Sequence, residues 1–306
     1  MTKDSTLGRT GGASPRFGLH VSVAGGLDRI FARGEALACG TVQIFSHSSR
    51  SWDFSLPDPD AVSAYSRARS ASSFFDVFIH ASYLINMASD DPAIAGRSIE
   101  TLEKELATAD LLGANGLVLH PGSARGGERS GAVLRAASRI REVLDRLPQG
   151  RTPLLLENTA GAGSMLGATP EEMSSLYSAI GRPLRTGLCL DSCHLFASGF
   201  DLSDSASCRE IVSRFCQNIP GGQPSLWHIN DALFPRGSGK DRHAGLGEGH
   251  IGLDALGHLV SAAAAAGLPM ILETPKGEGE AADRLNMRRL YSLAGLPVPE
   301  RISSDV

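Results

Sequence analysis

The chain has 306 residues, 42% of them hydrophobic and 20% charged, with a formal net charge of −4. This is the profile of a globular protein able to bury a large core, and no apolar run approaches the roughly 18 residues that a membrane span needs. The acidic balance gives no global sign of nucleic-acid binding. The five cysteines, odd in number and without a C-x-x-C pair, argue against a disulfide framework or a zinc ribbon and fit a reducing cytoplasm.

The first residues, "MTKDSTLGRTGGASPR", are polar and Gly/Ser-rich and lack an apolar signal core, so residues 1–15 read as a mobile tail. From there short apolar runs alternate with helical spacing. "FGLHV" (17–21) precedes a helix from about Leu27 to Leu37, and "VQIF" (42–45) one from about Asp60 to Ser70. "FDVFIH" (75–80) precedes "SIETLEKELATADLLG", whose Ile99, Leu102, Leu106 and Ala109 share one face. "GLVLH" (116–120) precedes Ala132–Leu147. "PLLLEN" (153–158) precedes a helix with Thr169 as N-cap, Pro170 at its first position and Gly181 as C-cap. "RTGLCLD" (185–191) precedes Asp204–Cys216. "SLWHIND" (225–231) leads through a long Gly-rich loop to Leu253–Ala266, and "PMILETP" (269–275) precedes Glu280–Leu293.

Eight strand–helix repeats with continuous apolar strands predict a single (β/α)8 TIM barrel over residues 16–297, with a C-terminal tail at 298–306. A doubly wound open sheet is the alternative, but no G-x-G-x-x-G follows the first strand.

On this frame His80, His120, Glu157, Asp191, His228 and Glu273 fall at or near the ends of six strands. His194 lies three residues after Asp191, and the loop after strand seven adds Asp241 and His243. In a parallel barrel those ends share one face, where active sites form. One histidine there is more often a hydrogen-bonded structural residue. The joint pattern differs: buried carboxylates need cations, and no lysine occurs at these strand ends. Neutral imidazoles with carboxylates suit Zn2+, Mn2+ or Fe2+, and nine such side chains suit two or three ions rather than one. Clusters of this kind favour hydrolysis at phosphorus. No P-loop and no G-x-S-x-G is present, and Ser192 and Cys193 beside His194 are merely adjacent in sequence.

The segments "GLHVSVAGG" (18–26), "HASYLIN" (80–86), "LVLHPGS" (117–123), "LLLENTAGAGSMLG" (154–167), "CLDSCHLFASGFDL" (189–202), "HIND" (228–231), "DRHAGLGEGHIG" (241–252) and "ILETP" (271–275) occur in this order. Together they make the chain resemble the endonuclease IV family of apurinic/apyrimidinic endonucleases, from about Phe17 to Leu296. The resemblance implies a TIM barrel with three Zn2+ per chain, with Mn2+ or Fe2+ an alternative at one site. His80, His120 and Glu157 would hold the first ion. Glu157 would bridge to a second, completed by Asp191, His228 and Glu273, and His194, Asp241 and His243 would hold the third. Glu157, Asp191, His194 and Glu273 are the residues expected to carry catalysis. The implied reaction cuts the phosphodiester 5′ to an abasic sugar, leaving a 3′-hydroxyl and a 5′-deoxyribose phosphate, and the family also trims blocked 3′ ends. The implied partner is double-stranded DNA containing abasic sites or blocked 3′ ends, met by a monomeric cytoplasmic enzyme.

DNA contact is implied for Arg50, Trp52 and Tyr83; alone, Arg50 would read as a solvated loop charge and Tyr83 as rim packing. Two segments depart from the family pattern. The loop after strand two, usually like F-T-K-N-x-R-x-W, is "FSHSSRSW" (45–52), with His47 and Ser48 at the Lys and Asn positions. After "HIND", where Lys or Ser is frequent, the run is "ALFPRGSGKDRH". Both leave the metal positions intact and bear on DNA affinity and lesion preference. Arg50, Arg125, Arg129, Arg236, Lys240 and Arg242 fall in expected mouth-side loops and could meet phosphates. His20, at the end of strand one, reads as a supporting residue, and Cys193 as a bystander. The competing reading is a single-metal sugar isomerase or epimerase on a related barrel, against which the nine-ligand set speaks.

Overall fold

Eight short strands, β1 (Phe17–His20), β2 (Thr41–Phe45), β3 (Asp76–His80), β4 (Gly116–Leu119), β5 (Leu154–Glu157), β6 (Thr186–Asp191), β7 (Leu226–His228) and β8 (Met270–Leu272), pair in parallel. They close into a barrel in which β8 lies between β7 and β1. The computed structural model describes residues 15–72, 76–125, 127–182, 185–219 and 221–304. Of the expected N-terminal tail, only Pro15 falls among them. No described helix is long and apolar enough to cross a membrane.

The surrounding helices are α1 (Arg29–Ala36), α2 (Pro59–Ala71), α3 (Pro92–Leu112), α4 (Arg129–Arg146), α5 (Pro170–Ile180), α6 (Ser192–Ala197), α7 (Ser205–Cys216), α8 (Gly252–Ala265), α9 (Ala281–Leu293) and α10 (Glu300–Ser303). Their ends follow local chemistry. Thr169 Oγ1 accepts the Glu172 N–H at the start of α5, and Gly181 ends that helix at φ 63°. α3 begins at Pro92 rather than near Ser98, because Asp91 caps Ala93 and Ile94 and Pro92 suits a first helical position.

Three features differ from the sequence expectation. α6 follows β6 without a break, since the Asp191 carboxylate accepts the His194 N–H at 2.8 Å and so caps it. β7 stops at His228, and the next residues join a small hairpin in which Asp231–Ala232 pairs with His243–Ala244. The expected C-terminal tail contains α10, whose Ile302 is buried and whose backbone carbonyls accept from Arg284 and Arg288.

The packing splits by strand face. One face of each strand meets the helices in the large core. The other face fills the barrel with Phe78, Val118, Leu155, Cys189, Leu226 and Ile271, a separate buried cluster with one residue from each of β3 to β8. Side chains alternate along a strand, so the next inward position is two residues further on. Those positions are His80, His120, Glu157, Asp191, His228 and Glu273. The apolar barrel filling is thus the floor on which the polar cluster stands. On β1 and β2 the inward pairs are Gly18 with Thr41 and His20 with Gln43.

Gly18 is required by close approach: a Cβ there would fall 1.7 Å from the Thr41 carbonyl oxygen. Backbone on both sides leaves no flexible neighbour to yield. Gly18→Ala is expected to destabilise the protein by about 2–3 kcal/mol, read as a fall in the midpoint of urea unfolding; an unchanged midpoint would contradict the packing described.

Candidate metal centre

The nine side chains converge at the C-terminal end of the barrel in three groups whose ligand atoms lie within 4.8 Å of one another. The first is His80, His120 and Glu157; the second is Glu157, Asp191, His228 and Glu273; the third is His194, Asp241 and His243. Glu157 is fully buried and faces four imidazoles. Its Oε2 lies 2.8 Å from His120 Nε2 and 3.2 Å from His80 Nε2. Its Oε1 lies 2.9 Å from His228 Nδ1 and 3.4 Å from His194 Nδ1. One carboxylate therefore spans two groups with different oxygens.

Asp191 and His194 divide between groups. Asp191 Oδ2 faces His228 Nδ1 at 4.0 Å and His243 Nε2 at 3.6 Å, while His194 Nε2 lies 3.2 Å from Asp241 Oδ2. The α6 cap sets their offset.

The ring orientations follow from their outer partners. A carbonyl can only accept, so each ring nitrogen facing one carries the proton. His80 Nδ1 donates to Ala81 O at 2.8 Å, His194 Nδ1 to Asn158 O at 2.9 Å, and His243 Nδ1 to Glu273 O at 3.2 Å. All three turn Nε2 toward the cluster. His228 is reversed. Gln43 must donate from Nε2 to Glu273 Oε1 at 2.6 Å, so its Oε1 accepts from His228 Nε2 at 2.8 Å and His228 presents Nδ1.

The charge balance calls for cations. Burial alone would raise Glu157, but the His120 and His228 imidazoles outweigh it and hold the carboxyl well below its ordinary range. Burial likewise opposes charge on His194, yet Asp191 and Asp241 raise it well above the usual imidazole value. Burial opposes charge on His228 too, and Cys189, Glu273 and Glu157 raise it. Without metal, protons on these rings balance the carboxylates; divalent ions would displace them. His194 Nε2 and His243 Nε2 are buried and face carboxylate oxygens of Asp241 at 3.2 Å and Asp191 at 3.6 Å without forming well-aligned hydrogen bonds, a pattern that suits nitrogens awaiting an ion. The residues present therefore fit metal ions at all three groups.

Cys193 lies within ligand reach of Asp191 and His243, and Cys189 of Glu157 and His228. Burial pushes both thiols up, Cys189 to about 12, which disfavours the thiolate that metals need. His20 stands outside the three groups, its Nδ1 3.1 Å from Gln43 Nε2 and 3.7 Å from Glu273 Oε1.

A cavity of about 480 Å³ opens over the cluster, and another of about 340 Å³ adjoins it beside Tyr83 and Arg125. A larger one, about 830 Å³, lies near the start of β1 and α10 and holds none of the metal groupings. Tyr83 is 62% exposed at the rim, its ring 5.7 Å from His80 and 5.3 Å from Phe45. Arg50 is exposed and Trp52 half-buried. Two of the expected mouth-side cations are already paired: Arg129 with Glu172 and Arg236 with Asp201. Lys240 sits over the Phe234 ring. Arg125 is held at a left-handed φ of 45° beside the adjoining cavity.

Sequence reasoning missed Gln43, which sits mid-run in an apolar strand; its inward parity was the available signal. It also missed Asn158 and Asn230. Asn158 Oδ1 accepts the Asp191 N–H at 2.7 Å, and Asn230 Nδ2 donates to Asp191 Oδ2 at 2.6 Å. Asp231 accepts backbone N–H groups from Gly247, Gly249 and Ile251, fixing the turn before α8.

Known proteins were compared with this geometry in hand. A family profile described as xylose isomerase-like TIM barrel matches residues 31–292. The chain is 39% identical over 282 residues to a probable endonuclease 4 of Nitratidesulfovibrio vulgaris, covering 92% of this chain and 99% of that protein. It superimposes on endonuclease IV from Thermus thermophilus with a TM-score of 0.80 at 32% identity, covering 92% and 99% of the two chains. A D-tagatose 3-epimerase-like protein matches at a TM-score of 0.68, covering 92% and 98%, but its 17% identity speaks to the fold alone.

Gln43→Leu keeps the volume and removes the hydrogen bonds to His228, Glu273 and His20. It is expected to weaken metal binding at the Glu157–Asp191–His228–Glu273 group by about 10- to 100-fold, measured by competition with a chromophoric chelator; unchanged affinity would show that Gln43 does not orient His228.

Proposed function

The chain belongs to the endonuclease IV family of xylose isomerase-like TIM barrels, and from that premise we propose that it is a metal-dependent DNA repair endonuclease. Its substrate is double-stranded DNA, cut at the phosphodiester 5′ to an abasic site to leave a 3′-hydroxyl and a 5′-deoxyribose phosphate. It also trims blocked 3′ ends. The observation that carries this reading is the three-part donor set joined through Glu157. A single-metal isomerase would have no use for the separate group of His194, Asp241 and His243.

Three Zn2+ per chain is the loading proposed. His80, His120 and Glu157 hold the first, Glu157, Asp191, His228 and Glu273 the second, and His194, Asp241 and His243 the third. Bound ions of this kind supply an activated water and neutralise charge on phosphate oxygens. The protein's own part is placement. The carbonyls of Ala81, Asn158 and Glu273 fix three ring tautomers. The barrel filling beneath excludes water from below. Arg50, Trp52 and Tyr83 stand on loops at the rim and meet the DNA. Affinity rests on phosphate contacts and selectivity on the lesion, since moving a baseless nucleotide out of the helix costs less than flipping a paired one. The enzyme acts as a monomer in the cytoplasm.

Two measurements test the reading together: metal content of the purified protein and nicking of a duplex with one abasic site. Three ions per chain with incision is expected, and one ion without incision would overturn it. Glu157→Gln should remain folded while its incision rate falls by on the order of 10³ or more.

A further inference from the structure

Two loops at the rim are tied to one buried carboxyl that no metal group uses. Glu105, on the core-facing side of α3, is fully buried. Its Oε1 accepts the Ser82 N–H at 3.0 Å and lies 3.4 Å from His47 Nδ1. Ser82 precedes Tyr83, and His47 lies on the segment that carries Arg50 and Trp52. The two segments also bond directly, Ser82 Oγ donating to Ser49 O at 2.9 Å. The His47 ring stacks on Phe54 at 4.1 Å and 18°, and Ser46 Oγ lies 3.2 Å from its Nδ1.

A buried carboxyl is an expensive way to fill space on an apolar helix face. Here Glu105 Oε2 and His47 Nε2 are both buried without a hydrogen-bond partner. Burial pushes the Glu105 carboxyl up to about 8 and the His47 imidazole down, so the contact joins uncharged groups at neutral pH. What the arrangement provides is one acceptor reached from two loops that are otherwise separate in sequence.

We propose that His47 and Glu105 are positioning residues that clamp the Arg50/Trp52 loop to the Tyr83 loop, so that both meet DNA as one preformed surface. The proposal rests on the DNA-cleaving function given above. A clamp acts on loops rather than metal ligands, so its loss raises the cost of ordering them on DNA and leaves the chemistry alone.

The test compares Glu105→Leu and His47→Ala with Glu105→Gln, whose amide oxygen can still accept from Ser82 N–H and face the His47 ring. On an abasic duplex the first two should raise KM about tenfold while kcat and metal content change less than about twofold, and Glu105→Gln should behave like the parent. Unchanged KM in Glu105→Leu and His47→Ala, or a fall in kcat with loss of metal, would overturn the proposal. If Glu105→Leu does not fold, His47→Ala decides alone. Amide hydrogen exchange over residues 46–54 and 81–86 gives a readout independent of DNA. Joint acceleration in His47→Ala supports the clamp, and acceleration of one loop or neither refutes it. A parent protein that incises nothing would instead overturn the function, leaving exchange to judge the clamp.

Discussion

A buried carboxylate surrounded by imidazoles is the constraint on which the rest of this molecule depends. Glu157 has no solvent to stabilise its charge, so positive charge must come from the groups that touch it. Four histidines from β3, β7, α6 and the end of β4 supply contacts, and nearby carboxylates outweigh burial to raise His80, His194 and His228 above the ordinary imidazole value. Remove one sign and the other becomes an uncompensated buried charge, which is costly. Protons balance the cluster without metal, and divalent ions would take their place.

The barrel makes such an assembly affordable by separating two tasks on the same strands. At one inward position each of six strands contributes an apolar residue to a sealed interior cluster. At the next inward position the same strands contribute the polar cluster. Folding energy comes from the first level, so the second can be built for chemistry. The backbone participates as well. Carbonyls at strand ends, which have no further strand partner, take the Nδ1 protons of His80, His194 and His243. Strand termination and ring orientation are thus one event.

Most of this organisation was legible in the sequence because it is periodic. Apolar runs of strand length recur between helical spacings, and a His, Asp or Glu at or near the end of six of the eight breaks the apolar rule at a place where the fold would collect the exceptions. What was not legible is non-local and neutral. Gln43 lies inside the run "VQIF" and looks like one polar residue in a strand; only barrel closure, which brings β2 near β7 and β8, reveals it between His228 and Glu273. α6 was missed because Asp191 reads as a metal ligand, and its second role as a helix cap is hidden behind the first. Glu105 lies three residues after Leu102 and four before Ala109, so spacing puts it on the buried face, but nothing local reveals that Ser82 and His47 meet it there. Arg129 and Arg236 read as free cations because their partners, Glu172 in the first turn of α5 and Asp201 in the loop after α6, belong to other segments of the chain.

These pairings change where selectivity must reside. Formal counting places six cations around the mouth, but Arg129 and Arg236 are neutralised by carboxylates and Lys240 leans on Phe234. Attraction for a polyanion is therefore weaker and more focused than composition suggests, concentrated on Arg50, Arg125, Arg242 and any ions in the cluster. With three of these six cations engaged, phosphate contacts at the rim would contribute less than their number suggests. On the function proposed above, affinity would then rest on shape as well, through the exposed Tyr83 ring and the cavity beside it. Rigid presentation of that rim would then matter more than added charge, because loops that order only on contact lose binding free energy to that ordering.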